Sequence, residues 1–328
     1  MLVESPEGLF CREGPFHVDP LAPVERAVIT HAHADHARPG SGAYLCAAPA
    51  LPVLRRRMGA EARIEALEYG ARVRIGGASL SLHPAGHILG SAQVRIEGPS
   101  GVWVVTGDYK REPDPTCAAF EPIRSDVLVT EATYALPIFR WDDPQAVARD
   151  VLGWWQGNAD KPSLLFCYVL GKAQRILGEL RRLTDRHVYV HGAIEPYVEL
   201  YREAGVQLLP TRLVSDTEKG RPFRGELVLA PITARGSPWM KRFGPHQSAF
   251  ASGLMRVRGT RRRRGFDRGF ALSDHADWPG ILRTIRESGA GRVLATHGHR
   301  EALVRYLRGT SVDAAPIGQA APANPEGD

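Results

Sequence analysis

The sequence contains little cysteine and no long apolar run. Its four cysteines, Cys11, Cys46, Cys117 and Cys167, are widely separated and form no CxxC pair, which argues against a disulfide framework and a zinc ribbon. No segment reaches the roughly 18 apolar residues of a membrane-spanning helix. The N-terminus MLVESPEGLF also lacks the basic and apolar regions of a signal peptide. These absences predict a cytoplasmic protein without membrane contact, whose cysteines are buried small side chains.

Charge is present in excess of one sign. The 328 residues carry a formal net charge of +6, and residues 255–269 read MRVRGTRRRRGFDRG, with seven arginines. Clustered arginine favours planar contacts to phosphate groups and is typical of nucleic-acid-binding surfaces. A basic run can also be an ordinary solvated face, so its place relative to other motifs decides between the two interpretations.

The secondary-structure pattern predicts a domain of the α/β class that is split by an insertion. The first part is rich in short strands, predicted at residues 27–30, 73–75, 79–83, 92–97, 102–108 and 127–134. Strands and helices then alternate, which indicates a parallel α/β unit. We predict one domain over residues 1–135 and 270–312, an inserted subdomain over 136–269, and a flexible tail over 313–328, which is rich in Ala, Pro and Gly.

The segment THAHADHARPG places His31, His33, Asp35 and His36 directly after the apolar residues 27–29. Residues two apart in an extended segment point the same way, so His31 and His33 can share one metal ion. A following turn would direct Asp35 and His36 to a second ion. Imidazole and carboxylate ligands without thiolates suit zinc, manganese or iron in a hydrolytic site. Two divalent ions are therefore predicted.

Further ligands are expected at the ends of predicted strands. His87 lies in HPAGHILGS, Asp108 ends VWVVTGD, and His297 ends RVLATHG. The glycines beside them allow close approach of the backbone to a crowded site.

These motifs resemble the metallo-β-lactamase fold, and more narrowly the β-CASP nucleases. The resemblance rests on HAHADH, AGH, TGD, SDHAD and THG, and on LGKAQRIL at residues 170–177. Glu131, His275 and His297 match the β-CASP motifs A, B and C. The resemblance covers residues 10 to 310 and implies an αββα metallo-β-lactamase sandwich with a shortened β-CASP-like insertion.

The resemblance also implies roles for the motif residues. His31, His33 and His87 would hold one metal ion, Asp35, His36 and His297 the other, and Asp108 would bridge both. Asp35, Asp108, Glu131 and His275 are the expected catalytic residues, with His275 and Glu131 as an acid or phosphate-binding pair. One departure is His299, which stands where many of these nucleases have glutamate. It could alter metal preference or contact phosphate.

The candidate nucleic-acid contacts all lie within the predicted insertion, residues 136–269. Lys172 and Gln174 open a predicted helix, and Trp239 and Lys241 lie in the mixed aromatic and basic segment SPWMKRFG. The arginine run precedes His275, so it can flank the metal site. The predicted contacts are Lys172, Gln174, Trp239, Lys241, Arg256, Arg258, Arg261, Arg262, Arg263 and Arg264.

The whole pattern is similar to the bacterial ligase-associated DNA exonucleases, which are also described as RNA 3′-end processing factors. The expected function is hydrolysis of single-stranded DNA in repair, beside an ATP-dependent DNA ligase and a helicase. A ribonuclease of the same fold is the nearest alternative. A small-molecule hydrolase and a non-catalytic nucleic-acid-binding module are more distant ones. The sequence leaves open DNA against RNA, polarity, the native metal and the oligomeric state.

Overall fold

The computed structural model describes residues 1–257, 259 and 265–318, and these form a mixed α/β protein with three sheets. The chain divides into two compact units. Unit 1 comprises Met1–Pro113, Cys117–Arg140 and the described residues from His275 onward. Unit 2 comprises Asp114–Thr116 and the described residues of Trp141–Asp274.

Unit 1 contains two sheets. The first has strands in chain order: β1 (Leu2–Ser5), β2 (Gly8–Cys11), β3 (Phe16–Val18), β4 (Arg26–Val28), β5 (Ala43–Ala47) and β6 (Ile64–Leu67). The second has the order β19-β18-β11-β10-β9-β8-β7. Its strands are β7 (Arg72–Ile75), β8 (Ala78–Pro84), β9 (Ala92–Gly98), β10 (Gly101–Val105), β11 (Val127–Glu131), β18 (Arg292–Thr296) and β19 (Asp313–Pro316).

The two sheets of unit 1 share a hydrophobic core. Val28 and Leu45 of the first sheet belong to the same buried cluster as Leu82 and Val94 of the second. Side chains alternate along a strand, so the other face of the second sheet buries a separate cluster against helices. That cluster is formed by residues including Val104, Leu128, Val293, Ile281 and Leu303.

Unit 1 has helices α1 (Leu51–Met58), α5 (Trp278–Ser288) and α6 (Arg300–Gly309). The start of α5 is capped by Asp277, whose carboxylate accepts a hydrogen bond from the Gly280 N–H at 2.8 Å. Gly289, in the left-handed conformation with φ 63°, ends it. Helices α5 and α6 lie before and after β18, the strand that leads to His297.

Unit 2 contains a third sheet, ordered β14-β13-β15-β12-β16-β17, in which every paired strand is parallel. Its strands are β12 (Ser163–Phe166), β13 (Val188–Val190), β14 (Thr211–Leu213), β15 (Leu227–Ala230), β16 (Gln247–Ala251) and β17 (Arg268–Phe270). Its helices are α2 (Pro144–Gln156), α3 (Lys172–Arg181) and α4 (Glu195–Glu203).

The C-terminal part differs from the sequence prediction. A tail was predicted from residue 313, but Asp313–Pro316 form β19 and pair parallel with β18. The Ala314 side chain is buried in the core against α6, so a small residue fits where its composition indicated low complexity. Residues 319–328 lie outside the described residues.

Three of the four cysteines are buried, as the sequence analysis predicted. Cys11, Cys46 and Cys167 are buried, and Cys117 is half-buried. Burial raises the pKa of the Cys46 thiol to about 12. Across the described residues, no helix combines the length and apolar character needed to traverse a bilayer.

Candidate metal centre

Three site residues follow neighbouring parallel strands of the second sheet. β10 pairs parallel with β11, and β11 pairs parallel with β18. The carboxyl ends of these strands therefore share one edge. Asp108 follows β10, Glu131 is the last residue of β11, and His297 follows β18, so the strand pairing brings the three together.

The first sheet supplies the histidine motif at its own strand ends. β3 and β4 are parallel, which places Asp19, after β3, beside the segment that follows β4. The strand ends at Val28, and a turn follows in which the Ala37 N–H donates to the His33 carbonyl at 2.8 Å. His31 and His33 therefore lie after the end of β4, at the start of the segment that leads into this turn.

Two glycines permit the chain segments to approach each other. Gly107 has φ 55°, and a Cβ there would lie 2.6 Å from the Thr30 Cβ. Gly298 has φ 48°, and its Cβ would lie 2.4 Å from the Thr133 Cα. Any side chain at either position would displace the loops that carry the histidines.

Four imidazole nitrogens converge on one carboxylate oxygen, Asp108 Oδ2. His36 Nε2 lies 3.4 Å from it and His31 Nε2 lies 3.5 Å from it. His87 Nε2 and His275 Nδ1 each lie 3.9 Å from it. Asp108 is buried, so the convergence takes place away from bulk water.

The hydrogen bonds behind the histidines select their tautomers. The Thr30 hydroxyl donates to Asp19 Oδ2 at 2.6 Å, so at its 3.0 Å contact with His31 Nδ1 it accepts. His36 Nδ1 donates to the same Asp19 oxygen at 2.7 Å. In neutral His31 and His36, the Nε2 lone pairs then face Asp108.

This arrangement fits a cation. The Nε2 atoms of His31 and His36 are buried and have no hydrogen-bond partner within the described part of the chain. Lone pairs directed at a carboxylate repel it unless a positive charge lies between them. Imidazole and carboxylate are also the donor set that divalent zinc and manganese accept. The cluster is therefore suited to divalent metal ions.

Burial and nearby charges shift the pKa values of His36 and His31 in opposite directions. Burial alone would lower the pKa of His36, but the carboxylates of Asp108, Asp35 and Asp19 raise it well above its usual value. Burial and the nearby His36 charge hold the pKa of His31 well below its usual value. Metal binding requires neutral imidazoles, so a bound cation would replace the His36 proton.

Three groups of side chains bring ligand atoms within 4.8 Å of one another in the described residues. They are His31, His33, His87 and Asp108; Asp19, His31 and His36; and Asp108, Glu131 and His275. Asp35 and His297 belong to none of these groups, although each is close to His36. Asp35 Oδ2 lies 3.7 Å from His36 Nε2, and the rings of His297 and His36 lie 5.1 Å apart.

Glu131 and His275 form a buried pair next to the cluster. His275 Nδ1 lies 3.0 Å from Glu131 Oε2 and 3.2 Å from Oε1. The backbone N–H of Tyr109 donates to Glu131 Oε1 at 2.7 Å, which holds the carboxylate in place. Because Glu131 accepts the Nδ1 proton, the Nε2 atom of His275 is the nitrogen left for other chemistry.

Sequence reasoning missed Asp19 and Thr30. Asp19 accepts hydrogen bonds from the Thr30 N–H at 2.8 Å and from the Thr30 hydroxyl and His36. Its φ of 44° is in the left-handed region, which costs energy for a residue other than glycine. The one signal available was a carboxylate directly after a strand, as at Asp108.

The predicted nucleic-acid contacts of α3 are not supported by its structure. Lys172 is 1% exposed, and its Nζ lies 2.9 Å from Asp274 Oδ2. Gln174 is buried, and its side chain accepts from the Gly171 N–H at 2.7 Å and donates to the Val169 carbonyl at 3.0 Å. Lys172 and Gln174 therefore stabilise the start of α3 through contacts inside unit 2.

The remaining predicted contacts lie at differing depths. Lys241 is exposed, whereas Trp239 is half-buried and packs edge-on against Phe243 at 4.7 Å. Arg256 forms an ion pair with Asp142 at 2.9 Å. Outside the described residues lie Arg258, Arg261, Arg262, Arg263 and Arg264.

Comparison with known proteins adds relatives of two kinds. A protein of Opitutus terrae named "Probable DNA ligase" is 28% identical over 321 residues, which is 97% of this chain and 31% of the relative. "Endoribonuclease ysh-1" of Neurospora crassa is 30% identical over 196 residues, 55% of this chain and 22% of the relative. "Integrator complex subunit 11" of Danio rerio is 35% identical over 106 residues, 31% of this chain and 17% of the relative.

By their printed names, the first of these relatives is a DNA ligase and the second an endoribonuclease, and this chain is similar to a part of each. No family model matches the chain. It spans about a third or less of the length of these curated relatives.

The fold has a counterpart among solved structures. A protein of unknown function from Enterococcus faecalis V583 superposes with a TM-score of 0.58 at 11% identity, over 82% of this chain and 74% of that one. At that identity the likeness concerns the fold alone.

Proposed function

We propose that this protein is a metal-dependent nuclease that hydrolyses phosphodiester bonds, with single-stranded DNA as its substrate. The observation that carries the proposal is the convergence of four imidazole nitrogens on Asp108 Oδ2, with Glu131 behind His275. Buried carboxylates and directed imidazoles of this kind suit cations that in turn bind a phosphate group.

The residues present divide into ligands for two ions. His31, His33 and His87 would hold one, Asp35, His36 and His297 the other, and Asp108 both. Zinc, manganese or one of each is proposed from the mixed nitrogen and oxygen donors. When bound, such ions supply Lewis-acid activation of water and neutralise charge on the phosphate. Asp19 would orient His36 toward one ion, and Thr30 would orient His31 toward the other.

The proposed part of the chain's own side chains is to bind phosphate and move a proton. Water adds to phosphorus while the bond to the leaving sugar oxygen breaks, and that oxygen takes up a proton. His275 is the proposed donor through Nε2, or alternatively holds a phosphate oxygen there. Glu131 stabilises the protonated imidazole through Nδ1. Burial of both residues keeps competing water from the pair.

We propose that the chain belongs to the β-CASP nucleases of metallo-β-lactamase type and that its two units correspond to that family's two parts. Unit 1 is proposed to be an αββα metallo-β-lactamase sandwich, which its two sheets with a shared core and its flanking helices support. Unit 2 interrupts unit 1 between Arg140 and His275 and is proposed to be the β-CASP-like insertion, with a parallel sheet and helices of its own.

A partner in DNA joining is proposed from the first relative. The segment similar to this chain makes up 31% of a protein named "Probable DNA ligase". That a protein of this name contains a segment similar to this chain supports a shared nucleic-acid substrate for the two. We therefore propose that this protein acts with an ATP-dependent DNA ligase in repair, together with a helicase. A cytoplasmic location stays a prediction.

RNA hydrolysis is the second candidate, and the relatives named for endoribonuclease activity favour it. The chemistry at phosphorus is the same for both polymers, and the difference lies in how the cleft treats a 2′-hydroxyl.

One experiment tests the function and separates the candidates. DNA and RNA oligonucleotides of one sequence, labelled at either end, are incubated with the protein in Mn²⁺, Zn²⁺ or Mg²⁺ and followed over time. We expect DNA to be shortened progressively from one end. Faster RNA cleavage would favour the second candidate. If neither polymer is cleaved in any metal, the nuclease proposal is wrong.

A further inference from the structure

His299 carries an exposed ring at the edge of the metal centre. Its backbone N–H donates to the Ala132 carbonyl at 2.7 Å, which ties it to the end of β11. Its imidazole lies on the Phe139 ring, with centroids 6.0 Å apart and planes 25° from parallel. That is an offset-stacked geometry. One face of the imidazole is therefore covered by Phe139, and the residue as a whole is exposed.

The supporting ring is fixed. Phe139 is 4% exposed. Its N–H donates to the Leu136 carbonyl at 3.0 Å, and its carbonyl accepts from the Trp278 N–H at 3.1 Å. Tyr134 also packs edge-on against the Phe139 ring at 4.6 Å. Because the Phe139 ring is held by these contacts, the His299 imidazole that stacks on it has a defined position.

The same rings lead back to the proposed proton donor. Tyr134 is buried, and its ring lies 5.9 Å from that of His275. Consecutive contacts therefore run from His275 through Tyr134 and Phe139 to His299. His299 is the exposed end of this row, and each step between neighbouring ring centroids is 6.0 Å or less.

We propose that His299, stacked on Phe139, is a platform on which a nucleobase next to the scissile phosphate stacks. The inference rests on the proposed function and deepens it by naming a subsite for an unpaired base. Unpaired bases stack on histidine and other aromatic rings, and such stacking accepts every base because each has a π face. Ile138, the residue before Phe139 in the chain, is 54% exposed.

Two other roles for His299 fit the structure less well. A phosphate contact needs a ring nitrogen, whereas the contact that the structure gives His299 is through the ring face, on Phe139. Within the described residues, none of the three ligand groups includes His299. An exposed residue whose ring already stacks on a buried aromatic ring is suited to stacking.

The test varies the protein and the base together. Wild type, His299→Ala and His299→Phe are each assayed on a labelled DNA strand and on strands with a single abasic residue near the cleaved end. Tyr306→Ala is the matched control, because Tyr306 on α6 is 44% exposed and its ring packs against Trp278, which is not one of the row of rings. Binding is measured by fluorescence anisotropy in EDTA, and KM and kcat in Mn²⁺.

We expect His299→Ala to weaken binding and raise KM about tenfold on intact DNA, with little change in kcat. At one abasic position the mutant and wild type should bind equally, because the base that the platform holds is missing. His299→Phe should keep wild-type affinity, and Tyr306→Ala should keep both constants.

Three results would overturn the platform. They are unchanged affinity in His299→Ala, an equal loss on every abasic strand, and a His299→Phe variant as weak as the alanine variant. The last would indicate a role for the ring nitrogens. If wild type binds DNA with this pattern but cleaves no nucleic acid, the proposed function fails and the platform stands. If wild type binds no nucleic acid, both fail.

Discussion

Asp108 Oδ2 is the point on which the site nitrogens converge, within 3.4 Å of His36 Nε2 and 3.5 Å of His31 Nε2. Asp108→Ala should abolish cleavage and reduce bound metal, because it removes the carboxylate that we propose binds both ions. Affinity for DNA should change little. Metal content by mass spectrometry, cleavage and anisotropy are measured on the same sample. Asp313→Ala, which removes an exposed carboxylate, is the control, and undiminished turnover in Asp108→Ala would contradict the two-ion assignment.

His275 and Glu131 act as one unit in the proposed mechanism, since Nδ1 lies 3.0 Å from the carboxylate. His275→Ala should lower kcat about 100-fold, the contribution expected of a general acid. Glu131→Gln should lower it by a similar factor, and the double variant should lose little more than either alone. Single-turnover cleavage measures this. Full activity in His275→Ala would remove it from the mechanism, and additive losses would separate the two residues.

Asp19 orients two proposed metal ligands, His36 by a direct hydrogen bond and His31 through the Thr30 hydroxyl. Asp19→Asn should lower metal affinity about 10- to 100-fold, because the amide is a weaker acceptor for the His36 Nδ1 proton and no longer supplies negative charge. Asparagine tolerates the positive φ of 44° found there, so the backbone should be retained. Calorimetric titration with Zn²⁺ or Mn²⁺ checks this. An affinity equal to that of wild type would make Asp19 a purely structural residue.

At the scale of elements, α3 depends on buried charges. Asp274 pairs with Lys172 at 2.9 Å and with Arg175 at 3.2 Å, and all three side chains are buried within unit 2. Asp274→Ala leaves buried cations without this partner, which should lower the free energy of unfolding by about 3–5 kcal/mol. Urea denaturation measures the change.

The matched control for that change lies at the other end of the same helix. Arg181 and Asp185 form an ion pair at 3.0 Å, but the Asp185 side chain is 94% exposed. Asp185→Ala should therefore change stability by less than about 1 kcal/mol. Equal effects of the two substitutions would show that burial does not determine the strength of the α3 pairs.

Strand ends were the features most readable from sequence. Motif residues such as Asp108 and His297 could be placed because each ends a short apolar run, and parallel pairing then brings such ends to one edge. Lys172 and Gln174 could not be placed in the same way. A motif gives their spacing along a helix but not which side of that helix the rest of the unit covers.

At the scale of the whole molecule, the α/β class was predictable from the pattern of apolar runs. Asp19 was not, since a single carboxylate carries no spacing signal until β3 and β4 are known to pair. β19 was missed for a related reason. Its alanines carry little apolar signal alone, and they form a strand because β18 offers a parallel neighbour.

The distribution of charge over the chain supports a last prediction. The net charge is +6, and the run Arg261–Arg264 concentrates four cations. If these arginines contact the DNA backbone, each releases counterions on binding, with a slope of about 0.7 per contact for a single strand. Replacing all four by alanine should therefore lower the slope of log affinity against log salt by up to about 3. Affinity should fall most at low salt. Anisotropy at several salt concentrations gives the slope.

The control is Arg55→Ala with Arg56→Ala on α1, which removes two exposed charges and should leave the slope unchanged. An equal fall in both variants would mean that net charge alone governs binding, and an unaltered slope in the first would return the run to ordinary solvated surface.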